Sequence, residues 1–525
     1  MRKSCRHQGF TATFMRELPR PLIVALLLFA SFVAYPEVVR LQILQTTDLH
    51  GYVERSDQLD SGGGMLRLAT AVAQRREVFG ADKTILIDSG DTIQGTWHAA
   101  YSRGQIAIEC LKFLGYDVWV PGNHELDFGV SRLREICGDT ASFVTAGNLS
   151  LIVSGKRKTL PPWRLIRRGG ARVAVIGMTA SALDLWFWGD QYRGYEVASA
   201  MERLEELLPQ VLAMRPDMII LATHQGWLPT DTRGVNEVKA IAERFPEIDL
   251  ILGGHTHWEH AGKIIGPDTW YMQAGRHADM LGVVFAEIDT EENRVVDIKS
   301  RLVTLDDSIP EDAELAAKLG ELLKHSRKEA SRVIGRASNT VSSAGRPGVD
   351  CEKSELLCRA IAEAADVSVV IHGRLTRYDL RPGPVTRREI YLMVPYENGI
   401  GVAELTPREI MIIMEEQHQQ RDSYVACGLW GLNVDYDDNG KVTALLTRGG
   451  EKLAEDTRIP VAFNSYTLSS GGGRFPELRR VTRQPAANLQ DTGLMTRAVL
   501  ENYVRRHSPL GRIVPGESFF LNRRP

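Results

Sequence analysis

"LQTTDLHGYV", residues 44–53, closes an apolar run and turns polar at once. The stretch "VRLQILQTTD" (39–48) is apolar and β-branched, which predicts a strand delivering Asp48 and His50 at its end. Asp-x-His at a strand tip is either a surface turn or the start of a metal site. Four later segments repeat the arrangement: "KTILIDSGD" (83–91), "YDVWVPGNHELDFG" (116–129), "PDMIILATHQG" (216–226) and "IDLILGGHTHW" (248–258). Apolar residues recur at helical spacing over 63–80, 105–115, near 198–214 and near 236–245. Strands alternating with helices predict a layered α/β fold, with its chemistry at the strand ends.

Taken singly, each polar cluster has an ordinary explanation: a Gly-Asp turn, an Asn-His cap, a satisfied histidine. Together they supply two carboxylates (Asp48, Asp91), four imidazoles (His50, His224, His255, His257) and one amide (Asn123). That mixture suits two borderline divalent ions, Zn, Mn, Fe or Co, better than an all-oxygen Mg²⁺ or Ca²⁺ cage. No pair of closely spaced thiolates marks a structural zinc site. Two ions ~3.5–4 Å apart would hold a bridging hydroxide and clamp a phosphoryl group. Asp91, last in its cluster, is the natural bridge between them.

The five blocks "TTDLHG", "DSGDTIQG", "GNHELDFG", "THQG" and "GGHTHW" resemble those of the calcineurin-like metallophosphoesterases. In particular they resemble the secreted 5′-nucleotidase and UDP-sugar hydrolase family, over about residues 40–305. The resemblance implies a β-sandwich flanked by helices, followed by a smaller α/β substrate-binding domain. It implies one ion held by Asp48, His50, Asp91 and His257, and another held by Asp91, Asn123, His224 and His255. His124 would contact the phosphate and Asp127 would orient it; on local sequence alone Asp127 reads equally as a turn or cap acid. Related cyclic-nucleotide phosphodiesterases tend to carry Asn where Asp127 stands. Asp88 has no place in the implied ligand set and is expected to be structural.

Beyond the first region, 38–308, "PEDAELAAKLGELLKHSRKEASRVIG" (310–335) predicts a charged linker helix, assigned to 309–335. The remainder, 336–522, is expected to be the substrate-binding domain, and "ADVSVVIHGRLTRYDLRPGPVTRREIYLMVPYENGIGVAELTPREI" (365–410) is similar to that domain in the family. The similarity implies that Arg377 meets a phosphate or the polar edge of a nucleotide. The family's glycines before that arginine are replaced here by Arg374-Leu375-Thr376, so Arg374 is either a second anion contact or a solvent-facing residue. "FNSYTLSSGGGRFPEL" (463–478) resembles the family's "GGDGY" loop and places Phe475 where an aromatic ring stacks on the base, worth roughly 1–3 kcal/mol. Gly473 replaces the loop's acid. The opposing aromatic falls within "SYVACGLWGL" (423–432), where Tyr424 and Trp430 both qualify.

The whole chain has 525 residues, 43% apolar and 25% charged, with formal charge −3, and offers no electrostatic reason to bind a nucleic acid polymer. Five early basic residues precede the 14-residue apolar run "PLIVALLLFASFVA". Residues 1–34 therefore predict a secretory signal, and a periplasmic or secreted protein, with an uncleaved anchor as the alternative. The run is shorter than the roughly 20 residues a bilayer crossing needs. After Cys5, five sparse cysteines predict packed thiols or a single bridge. The expected activity is metal-dependent hydrolysis of phosphate esters of nucleotides or nucleotide sugars. The alternatives are a 2′,3′-cyclic phosphodiesterase with 3′-nucleotidase activity and a sulfur-ester hydrolase on the same metal fold.

Overall fold

The computed structural model describes residues 38–55, 63–231 and 233–515. The expected signal segment lies outside them. The strand Val38–Thr46 pairs in parallel with Thr84–Asp88, which pairs in parallel with Val118–Trp119. Its other edge meets Met280–Asp289 antiparallel, and Arg294–Thr304 closes this five-stranded sheet. A second, six-stranded sheet has Ala171–Met178, Met218–Thr223, Leu250–Leu252 and Thr269–Ala274 as parallel neighbours, with an antiparallel strand at each edge.

The two sheets pack face to face. Leu41, Ile43, Ile85 and Val118 of the first interleave with Val173, Val175, Ile220 and Leu250 of the second. Strands buried on both faces read as continuous apolar runs, which is why these segments were legible. The parallel strands leave the sandwich at one end, so Thr46, Asp88, Trp119, Thr223 and Leu252 all deliver the chain to the same place. Helices Gly64–Phe79, Gln105–Leu114, Ala200–Ala213 and Val238–Arg244 supply the intervening chain.

From residue 333 onward a second five-stranded sheet runs in the order 428–430, 369–372, 459–464, 399–405, 490–495. Helices Glu352–Ala365, Pro407–Gln419 and Thr496–Arg506 accompany it. The start of Pro407–Gln419 was readable because Thr406 and Glu409 form a capping box and Pro407 opens the first turn. The five cysteines from Cys110 onward are buried and free. No helix among the described residues is long and apolar enough to cross a membrane.

The expected linker helix needs correction at its end. The helix covers Ala313–Ala330, and Val333–Ala337 is a strand paired antiparallel with Gly383–Thr386. Val333 and Ile334 are β-branched and favour that pairing over another helical turn. The helix is also docked rather than exposed: its thin stripe Leu315, Leu319, Leu323 packs into the core that contains Leu66 and Leu111. Leu319→Ala should therefore destabilise the protein by about 2–4 kcal/mol, read as a lower midpoint of thermal unfolding; an unchanged midpoint contradicts the docking.

Candidate metal centre and substrate cleft

Two clusters of ligand atoms lie where the parallel strands end. Asp48, His50 and His257 form one, and Asp91, His224 and His255 the other; within each, the atoms lie within 4.8 Å of one another. Asp91 Oδ2 stands 3.1 Å from His224 Nε2 and 4.0 Å from His50 Nε2, so it faces both. Asn123 Oδ1 lies 3.2 Å from His224 Nε2 and 2.9 Å from His255 Nδ1. All seven side chains singled out by the sequence thus meet at one end of the sandwich.

Hydrogen bonding decides whether the cluster suits cations. His50 Nδ1 is 2.8 Å from the Gln94 carbonyl, and His224 Nδ1 is 2.7 Å from the Ser89 carbonyl. A ring nitrogen facing a carbonyl must donate, which leaves Nε2 of each neutral ring as a lone pair. His224 Nε2 then faces only acceptors, Asp91 Oδ2 and Asn123 Oδ1. His50 Nε2 is 3.0 Å from His257 Nε2, which also stands 3.3 Å from the buried Asp48 Oδ1. Carboxylate, amide and ring-nitrogen acceptors converging in a buried place are costly unless a positive charge, a proton or a metal ion, sits among them. The donor set therefore fits two borderline divalent ions.

Backbone and electrostatics carry the same strain. Asp48, His50, Asp91, His255 and His257 all have positive φ, between 48° and 69°. Non-glycine residues seldom adopt this region and hold it at a cost of about 1–3 kcal/mol each, typically at functional sites. Burial alone would lower the His224 pKa, but Asp91 beside it raises it to about 10, so without a metal ion a proton on Nε2 supplies the positive charge between them. Burial and His257 lower His50 to about 4, and burial and His224 lower His255 to about 3. Against the pull of burial, the imidazoles hold Asp91 well below the usual carboxylate range. Gly122 has no room for a side chain: a Cβ there would meet Asp91 Oδ1 at 2.3 Å.

His124 sits at the mouth of this cluster. Its backbone N–H donates to Asp91 Oδ1 at 2.7 Å, and its Nδ1 is 3.0 Å from Asp127 Oδ2. Burial works against the charged ring, yet Asp127 and then Asp91 raise its pKa to about 9. Asp88 belongs to neither cluster; it is buried and accepts from Thr46, Thr92 and the Gly90 N–H.

A cleft of about 480 Å³ opens above these residues, between Asp91, His124 and His255 on one side and Tyr396, Tyr424 and Tyr466 on the other. Arg233 and Arg474 also line it. Of the substrate-contact candidates only Tyr424 is there, and it is 57% exposed. Phe475 is instead fully buried among Phe463, Met414 and Leu478. Its N–H bonds back to the Ser470 carbonyl at the entry to helix Pro476–Thr482, which turns the ring under the loop. Trp430 is buried, with Nε1 donating to Glu355. Arg377 is exposed, Arg374 donates to the Ser343 carbonyl, and neither lines the cleft.

Glu125 escaped the sequence reading, although it lies inside "GNHELD". It is fully buried and its carboxylate accepts from the N–H groups of Asp91, Thr92, Ile93 and Gly122. It therefore fixes the loops that carry Asp91 and Asn123. An acid with no assigned partner in a motif of ligands was the signal available. Trp186, whose ring stands perpendicular to that of His255 with centroids 5.0 Å apart, gave none. Glu125→Ala should weaken Mn²⁺ binding about 10–100-fold, measured by titration of folded protein; unchanged affinity contradicts its role.

The comparisons with known proteins agree with this geometry. Residues 41–259 match the calcineurin-like phosphoesterase family, and residues 333–480 match the 5′-nucleotidase C-terminal domain. A 5′-nucleotidase of Vibrio cholerae is 23% identical over 518 residues, covering 90% of this chain and 91% of that protein. Endonuclease YhcR of Bacillus subtilis is 22% identical over 480 residues, covering 87% of this chain. The chain spans only 39% of the Bacillus protein's length, and 58% of the Gloydius brevicauda venom 5′-nucleotidase it also matches. The solved 5′-nucleotidase precursor of Thermus thermophilus shares the fold, with a TM-score of 0.68 at 19% identity, over 90% of this chain and 97% of that one. This chain belongs to the family that joins a calcineurin-like phosphoesterase domain to a 5′-nucleotidase C-terminal domain.

Proposed function

We propose that this protein hydrolyses phosphate monoesters of nucleotides, using one divalent ion held by Asp48, His50, Asp91 and His257 and a second held by Asp91, Asn123, His224 and His255. The convergence of carboxylate, amide and imidazole ligand atoms on two neighbouring points carries this reading. When bound, the ions supply a water of lowered pKa and neutralise charge on the phosphoryl oxygens.

The chain's own groups do the rest. His124, kept protonated at neutral pH by Asp127 and Asp91, presents its ring to the cleft and offsets negative charge that grows on the phosphate. Asp127 holds the Nδ1 proton and so fixes which nitrogen faces the substrate. Across the cleft Tyr424 and Tyr466 offer faces for a base. Tyr466 is steadied by its own hydroxyl donating to the Gly471 carbonyl and by Arg474 donating to that hydroxyl. Arg233 and Arg474 provide positive charge for the polar part of the leaving group. The basic and apolar pattern of residues 1–34 supports export to the periplasm or medium.

A panel of AMP, 3′-AMP, 2′,3′-cAMP and UDP-glucose on metal-reconstituted protein tests the substrate class. AMP should be turned over fastest; activity confined to the cyclic and 3′ substrates would contradict the 5′ assignment. His124→Ala should lower kcat about 10²–10³-fold with metal content unchanged, and loss of metal from this variant would overturn its role. Tyr466→Leu should raise KM for AMP about tenfold and spare p-nitrophenyl phosphate; equal damage to both counts against stacking.

A further inference from the structure

A separate cavity of about 290 Å³ lies within the second half of the chain, away from the metal cluster. Cys427 borders both this cavity and the catalytic cleft, so the chain around it forms a wall between them. Helix Pro407–Gln419 lines the cavity with Met414, Gln417 and His418, spaced i, i+3 and i+4 on one helical face. Arg421 follows four positions after Gln417 and lines it too. Strands Gly428–Trp430 and Asn433–Tyr436 add Leu429, Val434 and Tyr436.

Charge and hydrogen bonding say what such a cavity accepts. Its lining holds two arginines, Arg346 and Arg421, against one acid, Asp435. Arg421 donates to the His418 carbonyl at 3.0 Å, and Arg346 stands 3.9 Å from the exposed Asp422, too far for a hydrogen bond. A guanidinium carries five N–H groups, so both keep donors for a further partner. Burial, then Arg421 and Arg346, lower the His418 pKa, which leaves its ring uncharged at neutral pH. That ring tilts against Tyr436 with centroids 4.4 Å apart.

Gln417 is the second sign. It is 2% exposed, and its Oε1 accepts the Cys427 N–H at 3.0 Å, which fixes the amide's orientation. Its Nε2 is buried and has no acceptor among the described residues. Buried amides are rarely left so. A neighbouring amide and guanidinium on one helical face can share the oxygens of one carboxylate.

We propose that this cavity binds a small carboxylate with a flat apolar body, the ring among Met414, Val434 and Tyr436 and the anionic end on Arg421, Arg346 and Gln417. Aromatic and thioether side chains favour a flat ring over a branched chain. The site is independent of the phosphoesterase reading, since it shares no residue with the metal cluster.

Calorimetric titration of full-length, Mn²⁺-loaded protein with phenylacetate tests it. One site should appear, with Kd of about 1 mM or below. Acetate keeps only the charge and phenethylamine only the ring, and each should bind at least about tenfold more weakly. Inorganic phosphate, which would occupy the metal centre, should not compete. Val434→Trp, which fills the cavity, and Arg421→Gln, at an exposed position that folding tolerates, should each weaken phenylacetate about tenfold. Arg474→Gln, in the catalytic cleft, should leave it unchanged. Absence of binding, equal binding of phenethylamine, displacement by phosphate, or a loss confined to Arg474→Gln would overturn the proposal.

Discussion

Buried lone pairs that point at one another are the constraint on which this molecule turns. His50 and His224 each spend the Nδ1–H on a backbone carbonyl, which leaves Nε2 aimed at Asp91, Asn123 and His257, a place that calls for a positive charge, whether a proton or a metal ion. Repulsion of this kind is tolerated in a folded interior only where a cation is to be held. The left-handed backbone at five of the seven candidate ligands adds to the cost. Such expense at one end of an otherwise regular sandwich marks where function has overridden local stability.

The sandwich makes that expense bearable. Parallel strands buried between two layers end together, so side chains far apart in sequence arrive within a few ångströms. Glu125 then collects four N–H groups from two of the arriving loops, and the absence of a side chain at Gly122 lets Asp91 close over the cluster. The second half completes the cleft. Its tyrosines face the histidines of the first half, and the Gly472 N–H meets the Leu185 carbonyl across the boundary at 2.8 Å.

The sequence was informative where chemistry follows directly on an apolar run. Asp48, His50, Asp91, Asn123, His224, His255 and His257 stood out because polar residues abruptly end buried strands, and the structure brings them together. Phe475 did not behave as its motif suggested. A loop match fixes position along the chain, whereas the left-handed Ser470 and the turn after it decide whether the ring lies above or below the backbone. Tyr466, the aromatic that does reach the cleft from that loop, was passed over. What Glu125 binds was illegible for a different reason, and so was the place of Tyr396. Their partners are backbone groups or side chains in other segments, and no periodicity or spacing announces such contacts.

The most direct test is anomalous X-ray diffraction from crystals of this protein grown with Mn²⁺. The account predicts two peaks about 3.5–4 Å apart, one on either side of the Asp91 carboxylate, with His50 and His257 on one and Asn123, His224 and His255 on the other. A well-ordered crystal showing one peak, or none, at that carboxylate would contradict it.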